Sequence, residues 1–256
     1  MNTFNNHPAA IKRIHGKGFV DYTITRRLPK ILSNVKKQLQ DHSQLEAAQS
    51  MLQSVITGRP INTKIFSHPT AYWKDYLDKL NGLTWNDPSF FDLELLFYHG
   101  LNSIARYFDN GVDVFWPTRQ RALSEAMPVL DSGLAKILEL SGTDLLRATI
   151  RCSLFANEAD YSQLITSRSD STLWNDRVLL DESTAFITCL EQHSGQGDIH
   201  IIADNAGHEL CWDLVMVDAL LRVFNTIRVI IHVKPWPMFV SDALSIDVEE
   251  TLRDED

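Results

Sequence analysis

Three oxygen-bearing side chains, Asp204, Asn205 and Asp242, follow two mostly apolar runs that are typical of β-strands. The runs cover residues 199–203 and 228–234. In an open parallel sheet the carboxyl ends of the strands lie at one edge, and ligands bind there. We therefore expect two carboxylates and one amide to converge at this edge, beside the positive end of the helix that follows Asn205.

Such a set of oxygen ligands indicates one kind of chemistry. Carboxylate and amide oxygens suit Mg²⁺ or Mn²⁺ better than a metal that prefers thiolates. A cation held with open coordination positions can polarise a phosphoryl oxygen and activate water. On the residues alone a second interpretation stays open, because an Asp-Asn pair after a strand also forms turns and helix caps. The sequence has neither the glycine-rich motif of dinucleotide-binding proteins nor a P-loop, which disfavours dinucleotide binding and P-loop phosphate binding.

The elements that would position these residues change character along the chain. Apolar spacing predicts helices in the first half at residues 22–39, 44–57, 90–108, 118–130 and 132–140, with a bend or restart at Pro29. The second half alternates strand-like runs and helix-like stretches, at residues 177–181, 183–192, 198–204, 209–224 and 228–234. This order is typical of a parallel sheet with crossover connections. We expect an α/β fold with a helical N-terminal region, residues 1–150, and a Rossmann-like metal-binding region, residues 151–256.

Composition narrows the classes of partner. The 256 residues include 44% apolar and 22% charged residues, as in globular proteins rather than disordered ones. A net charge of −9 disfavours nucleic acid, which is bound through clustered Lys and Arg. No apolar run approaches the roughly 20 residues of a membrane-spanning helix, and the N-terminus does not have the pattern of a secretory signal. Three cysteines without a close pair predict no disulfide framework. We expect a cytoplasmic setting, with the nucleus left open, and the sequence does not indicate an oligomeric state.

Two blocks of the second half resemble the signature of the damage-control phosphatase family. They are Asp204-Asn-Ala-Gly-His-Glu-Leu210 and Lys234-Pro-Trp-Pro-Met-Phe-Val-Ser-Asp242. Other parts of the chain are similar to further family segments: residues 18–32, Pro88-Ser-Phe-Phe with Glu94 and Tyr98, residues 154–160, and residues 178–181. The likeness spans nearly the whole chain, and it is greatest to the eukaryotic sugar-phosphate phosphatases, also called the acidic-residue methyltransferase branch.

The resemblance implies a metal-dependent phosphatase. The family residues that hold one divalent cation, Mn²⁺ or Mg²⁺ with Ni²⁺ or Co²⁺ also serving, match Asp204, Asn205 and Asp242. The family residues around the substrate match Asn157, Asp160, Glu94, Lys234 and Ser241. The implied substrates are small sugar phosphates such as fructose 1-phosphate and fructose 6-phosphate.

Departures from the family keep other functions open. Family members continue past the Ser-Asp block with further strands and a late basic segment, whereas this sequence ends at Asp256 in an acidic tail. The resemblance therefore implies a sheet that is incomplete at the C-terminus, with an exposed edge. Two alternatives remain: an S-adenosylmethionine-dependent protein carboxyl methyltransferase, and a non-catalytic fragment that keeps the metal site. Near the site, we expect Asp213 to face solvent and His232 to be a buried or half-buried strand residue.

Overall fold

The computed structural model describes residues 10–39, 41–67, 70–156, 178–193, 197–224 and 228–253. The predicted α/β class with a helical N-terminal region is confirmed. The chain forms two compact units, residues 1–116 with 237–240 and residues 117–236 with 241–256. The division into residues 1–150 and 151–256, which rests on element type, stays a prediction.

The described part of the first unit is helical. Its elements are α1 (Gly18–Tyr22), a π-helical turn (Thr23–Arg27), α2 (Leu28–Val35), α3 (His42–Thr57), a 3₁₀ turn (Thr63–Ile65), α4 (Ala71–Asp78), α5 (Phe90–Ile104) and α6 (Tyr107–Asn110). The irregularity expected near Pro29 is present, because the π-helical turn ends just before α2. Pro29 lies in the first turn of α2 and, having no N–H, cannot donate a backbone hydrogen bond to the π-helical turn that precedes it.

Capping residues set the bounds of the long helices in this unit. Asp41 accepts a hydrogen bond from Gln44 N at 2.9 Å and begins α3, which ends at Gly58 in the left-handed conformation. Ser89 caps α5 in the same way. The helix predicted for residues 90–108 stops at Ile104, because Arg106 has a φ of 63° and turns the chain before α6.

The second unit contains the predicted sheet. Its elements are α7 (Trp116–Ile137), α8 (Gly142–Leu154), α9 (Ser183–Gln192), β1 (Asp198–Ile202), α10 (His208–Val223), β2 (Arg228–His232) and α11 (Ser245–Arg253). Strands β1 and β2 pair in parallel, from Asp198 opposite Arg228 to Ile202 opposite His232. Helix α10 is the connection between them, as the strand–helix–strand order predicts.

One face of the strands packs into the core of this unit. Ile199, Ile201 and Val229 lie against a buried cluster that includes Trp212 and Leu146. Burying a side chain of this kind contributes roughly 1.5–3 kcal/mol. Because strand residues alternate between faces, Asp198, His200 and Ile202 point to the other side and are exposed. The packed face fixes β1 and β2, so the loops after both strands start from defined positions.

Two predictions about elements are wrong. Residues 178–181 are not a strand; Leu179 and Leu180 are exposed, and the Asp181 carboxylate accepts from Ser183 N at 2.9 Å, where α9 begins. No described strand pairs with this segment, and a short apolar run alone does not require one. The helices predicted at residues 118–130 and 132–140 are one helix, α7, with Pro128 inside it. Helix α11 (Ser245–Arg253) was not predicted.

Candidate functional site

Backbone hydrogen bonds join the loop after β1 to residues 241–243. Asn205 and Asp242 form an isolated antiparallel bridge. Ala243 N donates to Asp204 O at 2.8 Å. The structure therefore brings the backbones of Asp204, Asn205 and Asp242 together in the second unit, at the carboxyl ends of the two strands.

The side chain of Asn205 is held in one orientation. Its Oδ1 accepts a hydrogen bond from the Ser241 hydroxyl at 2.6 Å. Its Nδ2 donates to Glu209 at 2.9 Å and to Asp204 at 3.2 Å. Because Oδ1 has two lone pairs, the bond from Ser241 leaves one acceptor position on the oxygen. The network therefore distinguishes the oxygen of this amide from its nitrogen.

The two carboxylates of the predicted ligand set differ in exposure. The Asp204 side chain is 66% exposed and lies 3.7 Å from Lys234 Nζ, which also donates to Ala203 O at 3.4 Å. Asp242 is buried, with 4% of its surface exposed. An exposed ion pair at this distance contributes little to stability. Lys234 is therefore placed beside the carboxylate without being strongly held there.

These residues fit a hard divalent cation. They offer two carboxylates and one amide oxygen whose direction Ser241 sets. Within the described ranges, no group of three His, Cys, Asp or Glu residues could hold a metal ion. The predicted set is of a different kind, because one of its three members is an asparagine. Three protein ligands would leave coordination positions for water and a phosphate oxygen.

Asp213 is buried, so the prediction that it faces solvent is wrong. It lies on the side of α10 that packs against α8, and the Ser153 hydroxyl donates to its carboxylate at 2.5 Å. Burial raises the pKa of Asp213, the bond from Ser153 opposes this change, and the charges of Glu209 and Asp204 raise the pKa further. Its apolar neighbours along the chain gave no sign of a polar partner on α8.

His232 is also placed differently from the prediction. It is exposed, and its Nε2 lies 2.7 Å from Nδ1 of His200 on the neighbouring strand. Both residues lie on the sheet face opposite the core, which explains their exposure. The sequence did not reveal this pair, because it depends on the register of the two strands.

Glu94 lies in the first unit. It is buried, its Oε1 lies 2.6 Å from the Arg27 guanidinium, and the Tyr98 hydroxyl donates to it at 3.3 Å. Burial raises the pKa of Glu94, while Arg27 lowers it. Its role at a substrate stays a prediction. Asn157 and Asp160 lie outside the described residues.

The sequence reasoning missed a buried ion pair between α7 and α11. Arg119 Nε lies 3.1 and 2.9 Å from the two carboxylate oxygens of Asp247. Asp247 also accepts from Leu244 N at 2.9 Å, as the third helical residue does in a capping box. The spacing of Asp247 in the first turn of α11 could have predicted the cap, but not its distant partner.

Among the residues that the structure describes, no helix has the length and apolar character needed to cross a membrane.

The fold and the site define an α/β protein with carboxylate and amide side chains at the carboxyl ends of parallel strands. The sequence model of the damage-control phosphatase ARMT1-like domain matches residues 23–256, so the chain belongs to this family of phosphatases. The resemblance inferred from the sequence motifs is confirmed.

Two relatives show the same likeness along the chain. Damage-control phosphatase ARMT1 of Xenopus laevis is 22% identical over 298 aligned positions, which cover 96% of this chain and 68% of the relative. The protein of the same name from Xenopus tropicalis is 22% identical over 303 positions, with the same coverage. At this identity, the relatives support the phosphatase class but leave the substrate of this chain to experiment.

Proposed function

We propose that this protein is a metal-dependent phosphatase that hydrolyses small sugar phosphates such as fructose 1-phosphate or fructose 6-phosphate. Asp204, Asn205 and Asp242 would hold one Mn²⁺ or Mg²⁺, with Ni²⁺ or Co²⁺ as substitutes. The observation that carries the proposal is the bridge between Asn205 and Asp242, together with the orientation of the Asn205 oxygen by Ser241. Family membership supports the phosphatase class.

When bound, the cation would neutralise charge on phosphoryl oxygens and lower the pKa of a bound water. The residues of the chain would supply the remaining functions. Ser241 keeps the Asn205 oxygen, rather than its NH₂ group, available as a ligand. The two negative charges of Asp204 and Asp242 would balance the two positive charges of the cation. An incoming phosphate would then meet a cation and carboxylates whose charges largely cancel.

Lys234 is suited to bind a phosphate oxygen. Its ammonium group lies at the edge of the site, 3.7 Å from Asp204, with 29% of the side chain exposed. A phosphate can compete for such a group at small cost, because a partly exposed ion pair is weak. The N-terminus of α10 adds positive potential beside Asn205, which favours an anion at the same place.

The test is phosphate release from fructose 1-phosphate in the presence of Mn²⁺, for the wild type and for Asp204→Ala. Asp218→Ala is the matched control, because Asp218 is an exposed carboxylate of the same unit that pairs with Arg222 on α10. We expect turnover in the wild type and in the control, and none in Asp204→Ala.

Three other outcomes contradict the proposal in different ways. A folded wild type that binds Mn²⁺ without turnover would leave a non-catalytic metal-binding domain. Equal turnover in all three proteins would exclude Asp204 as a ligand. Methyl transfer from S-adenosylmethionine that persists without added metal would favour the methyltransferase alternative.

A further inference from the structure

The pair of Arg119 and Asp247 is among the most deeply buried groups that the structure describes in the second unit. The two side chains are 0% and 4% exposed. The Nε of Arg119 contacts both carboxylate oxygens, and Asp247 Oδ2 also accepts from Leu244 N at 2.9 Å. These contacts attach the first turn of α11 to α7 at one point.

Stability alone is a weak explanation for this pair. Removing two charges from water is costly, and apolar side chains of similar volume often stabilise a protein as well as a buried ion pair does. What an ion pair adds is a defined geometry, because the two charged groups must lie within hydrogen-bond distance of each other. The position that this geometry fixes is that of the chain just before α11.

That part of the chain contains Asp242. The N–H of Ala243 donates to Asp204 O, and Ala243 O accepts from Lys234 N at 3.0 Å. The next residue, Leu244, donates its N–H to Asp247. Residues 242–244 are therefore bonded to the loop after β1 on one side and to the Arg119 partner on the other.

The same face of α7 also contacts the chain that follows Asn205. Ala122 lies one turn after Arg119, so the two residues share a helix face. Gly207 packs so closely on α7 that an added Cβ would lie 2.8 Å from the Ala122 Cβ. Gly207 follows Asn205 by two residues and begins α10. Helix α7 therefore contacts the chain next to both ligand-bearing segments.

We propose that Arg119 is a positioning residue, which sets the separation of Asp242 from Asp204 and Asn205 through Asp247. The effect on metal affinity rests on the proposed function, whereas the effect on the loops does not. Without the pair, residues 242–244 keep their bonds to the loop after β1 but lose a fixed attachment to α7. Both loops then open more often, and the oxygen ligands converge less of the time.

The experiment compares two variants with a core control. Arg119→Lys keeps the positive charge but replaces the planar guanidinium with an ammonium group. The double variant Arg119→Met with Asp247→Asn removes both charges and keeps an oxygen to cap Leu244, so it is expected to fold even where the single variant fails. Ile187→Ala, a buried position on α9, lowers the stability of the same unit from a helix that packs on α8.

The first readout is amide hydrogen exchange in metal-free protein. We compare the amides of Ala206, Lys234 and Ala243, which bond the two loops, with the amides of α10 beyond its first turn. In the Arg119 variants we expect loop exchange to accelerate on the order of tenfold relative to the α10 amides. In Ile187→Ala this ratio is expected to stay at its wild-type value. A wild-type ratio in both Arg119 variants would overturn the inference.

The second readout is Mn²⁺ affinity by calorimetry. We expect the Kd to rise roughly tenfold in the Arg119 variants, as for residues that hold metal ligands in position through hydrogen bonds. In Ile187→Ala the Kd is expected to be unchanged. Equal affinity in the wild type and in Asp204→Ala would reject the proposed metal site, while the exchange experiment would still decide the role of Arg119. Where Asp204→Ala does lose Mn²⁺ affinity, unchanged affinity in folded Arg119 variants would overturn the inference.

Discussion

Asn205 is the predicted ligand whose direction the neighbouring side chains set most fully. The hydroxyl of Ser241 donates to its oxygen, and the carboxylates of Asp204 and Glu209 accept from its nitrogen. An amide whose oxygen and nitrogen are exchanged would present two hydrogens to a cation instead of lone pairs. The usefulness of Asn205 as a ligand therefore depends on these neighbours.

Substitution of Ser241 by Ala tests this dependence. The amide loses the donor that holds its oxygen, so we expect Mn²⁺ affinity to fall roughly tenfold. Because one hydrogen bond is lost, the free energy of unfolding should fall by only about 0.5–1.5 kcal/mol. Calorimetric titration with Mn²⁺ measures the first effect and urea unfolding the second. Ser124→Ala removes an exposed serine hydroxyl of the same unit and serves as the control; an equal loss of affinity in both variants would contradict the argument.

Asp213 gives a prediction about pH. Burial raises its pKa in the folded protein, so the folded state binds a proton more readily than the unfolded chain. This group therefore stabilises the folded state at pH values below its unfolded pKa. The stabilisation is lost as the pH rises through the folded pKa. Asp213→Asn keeps an acceptor for Ser153 and removes the charge.

The stability of Asp213→Asn relative to the wild type is therefore expected to be greater at pH 7 than below pH 4. Urea unfolding of the metal-free proteins at both pH values measures it, with Asp218→Asn as an exposed control. A difference between Asp213→Asn and the wild type that does not change with pH would show that the Asp213 carboxylate titrates alike in the folded and unfolded states.

The neighbouring helix α7 constrains where α10 can begin. Gly207 has a φ of 80°, and the space for a Cβ is taken by Ala122 of α7. A side chain here meets two separate costs, the left-handed backbone and the overlap with α7. Glycine at this position lets α10 begin directly beside the site.

Gly207→Ala is therefore expected to destabilise the protein by about 2–6 kcal/mol, from roughly 1–3 kcal/mol of backbone strain and a similar cost of overpacking. Gly142→Ala is the comparison, since Gly142 also has a positive φ but has no atom within 4 Å of an added Cβ. Urea unfolding of both variants separates the two costs. Equal destabilisation would mean that α7 moves aside without penalty.

The sequence predicted the elements that local patterns determine, but not the contacts between residues that lie far apart along the chain. The bounds of α9 and the pairing of β1 with β2 were predicted, because local apolar patterns and strand–helix–strand order determine them. The chain segments that carry Asp204, Asn205 and Asp242 were predicted to meet because parallel strands end at one edge. The sequence did not predict that Ser153 contacts Asp213 or that Arg119 contacts Asp247. These partners lie on helices that are distant in sequence, and their packing leaves no periodic pattern of residues.

At the scale of the whole molecule, one short segment changes unit. Residues 237–240 belong to the first unit, whereas the residues on both sides belong to the second. Within the first unit, Asn102 donates to Pro237 O, and the ring of Phe239 lies 5.3 Å from that of Tyr98 and 5.8 Å from that of Phe91. The motif that resembles one continuous family block is therefore folded partly in each unit, a division that no local pattern of the sequence predicts.

The first unit should also limit the stability of the protein in acid. Burial among aromatic rings lowers the pKa of His99 to about 4, and its Nε2 lies 2.6 Å from Ser67 O. The unfolded chain, with a pKa near 6.5, then binds the proton more readily, so stability present above pH 6.5 falls by up to about 1.4 kcal/mol per pH unit as pH drops toward 4. His99→Gln removes the titration, and urea unfolding followed by circular dichroism should show a weaker pH dependence between pH 6.5 and 4. His42→Gln, an exposed histidine of the same unit, should keep the wild-type slope; equal slopes in all three proteins would show that His99 is not the group responsible.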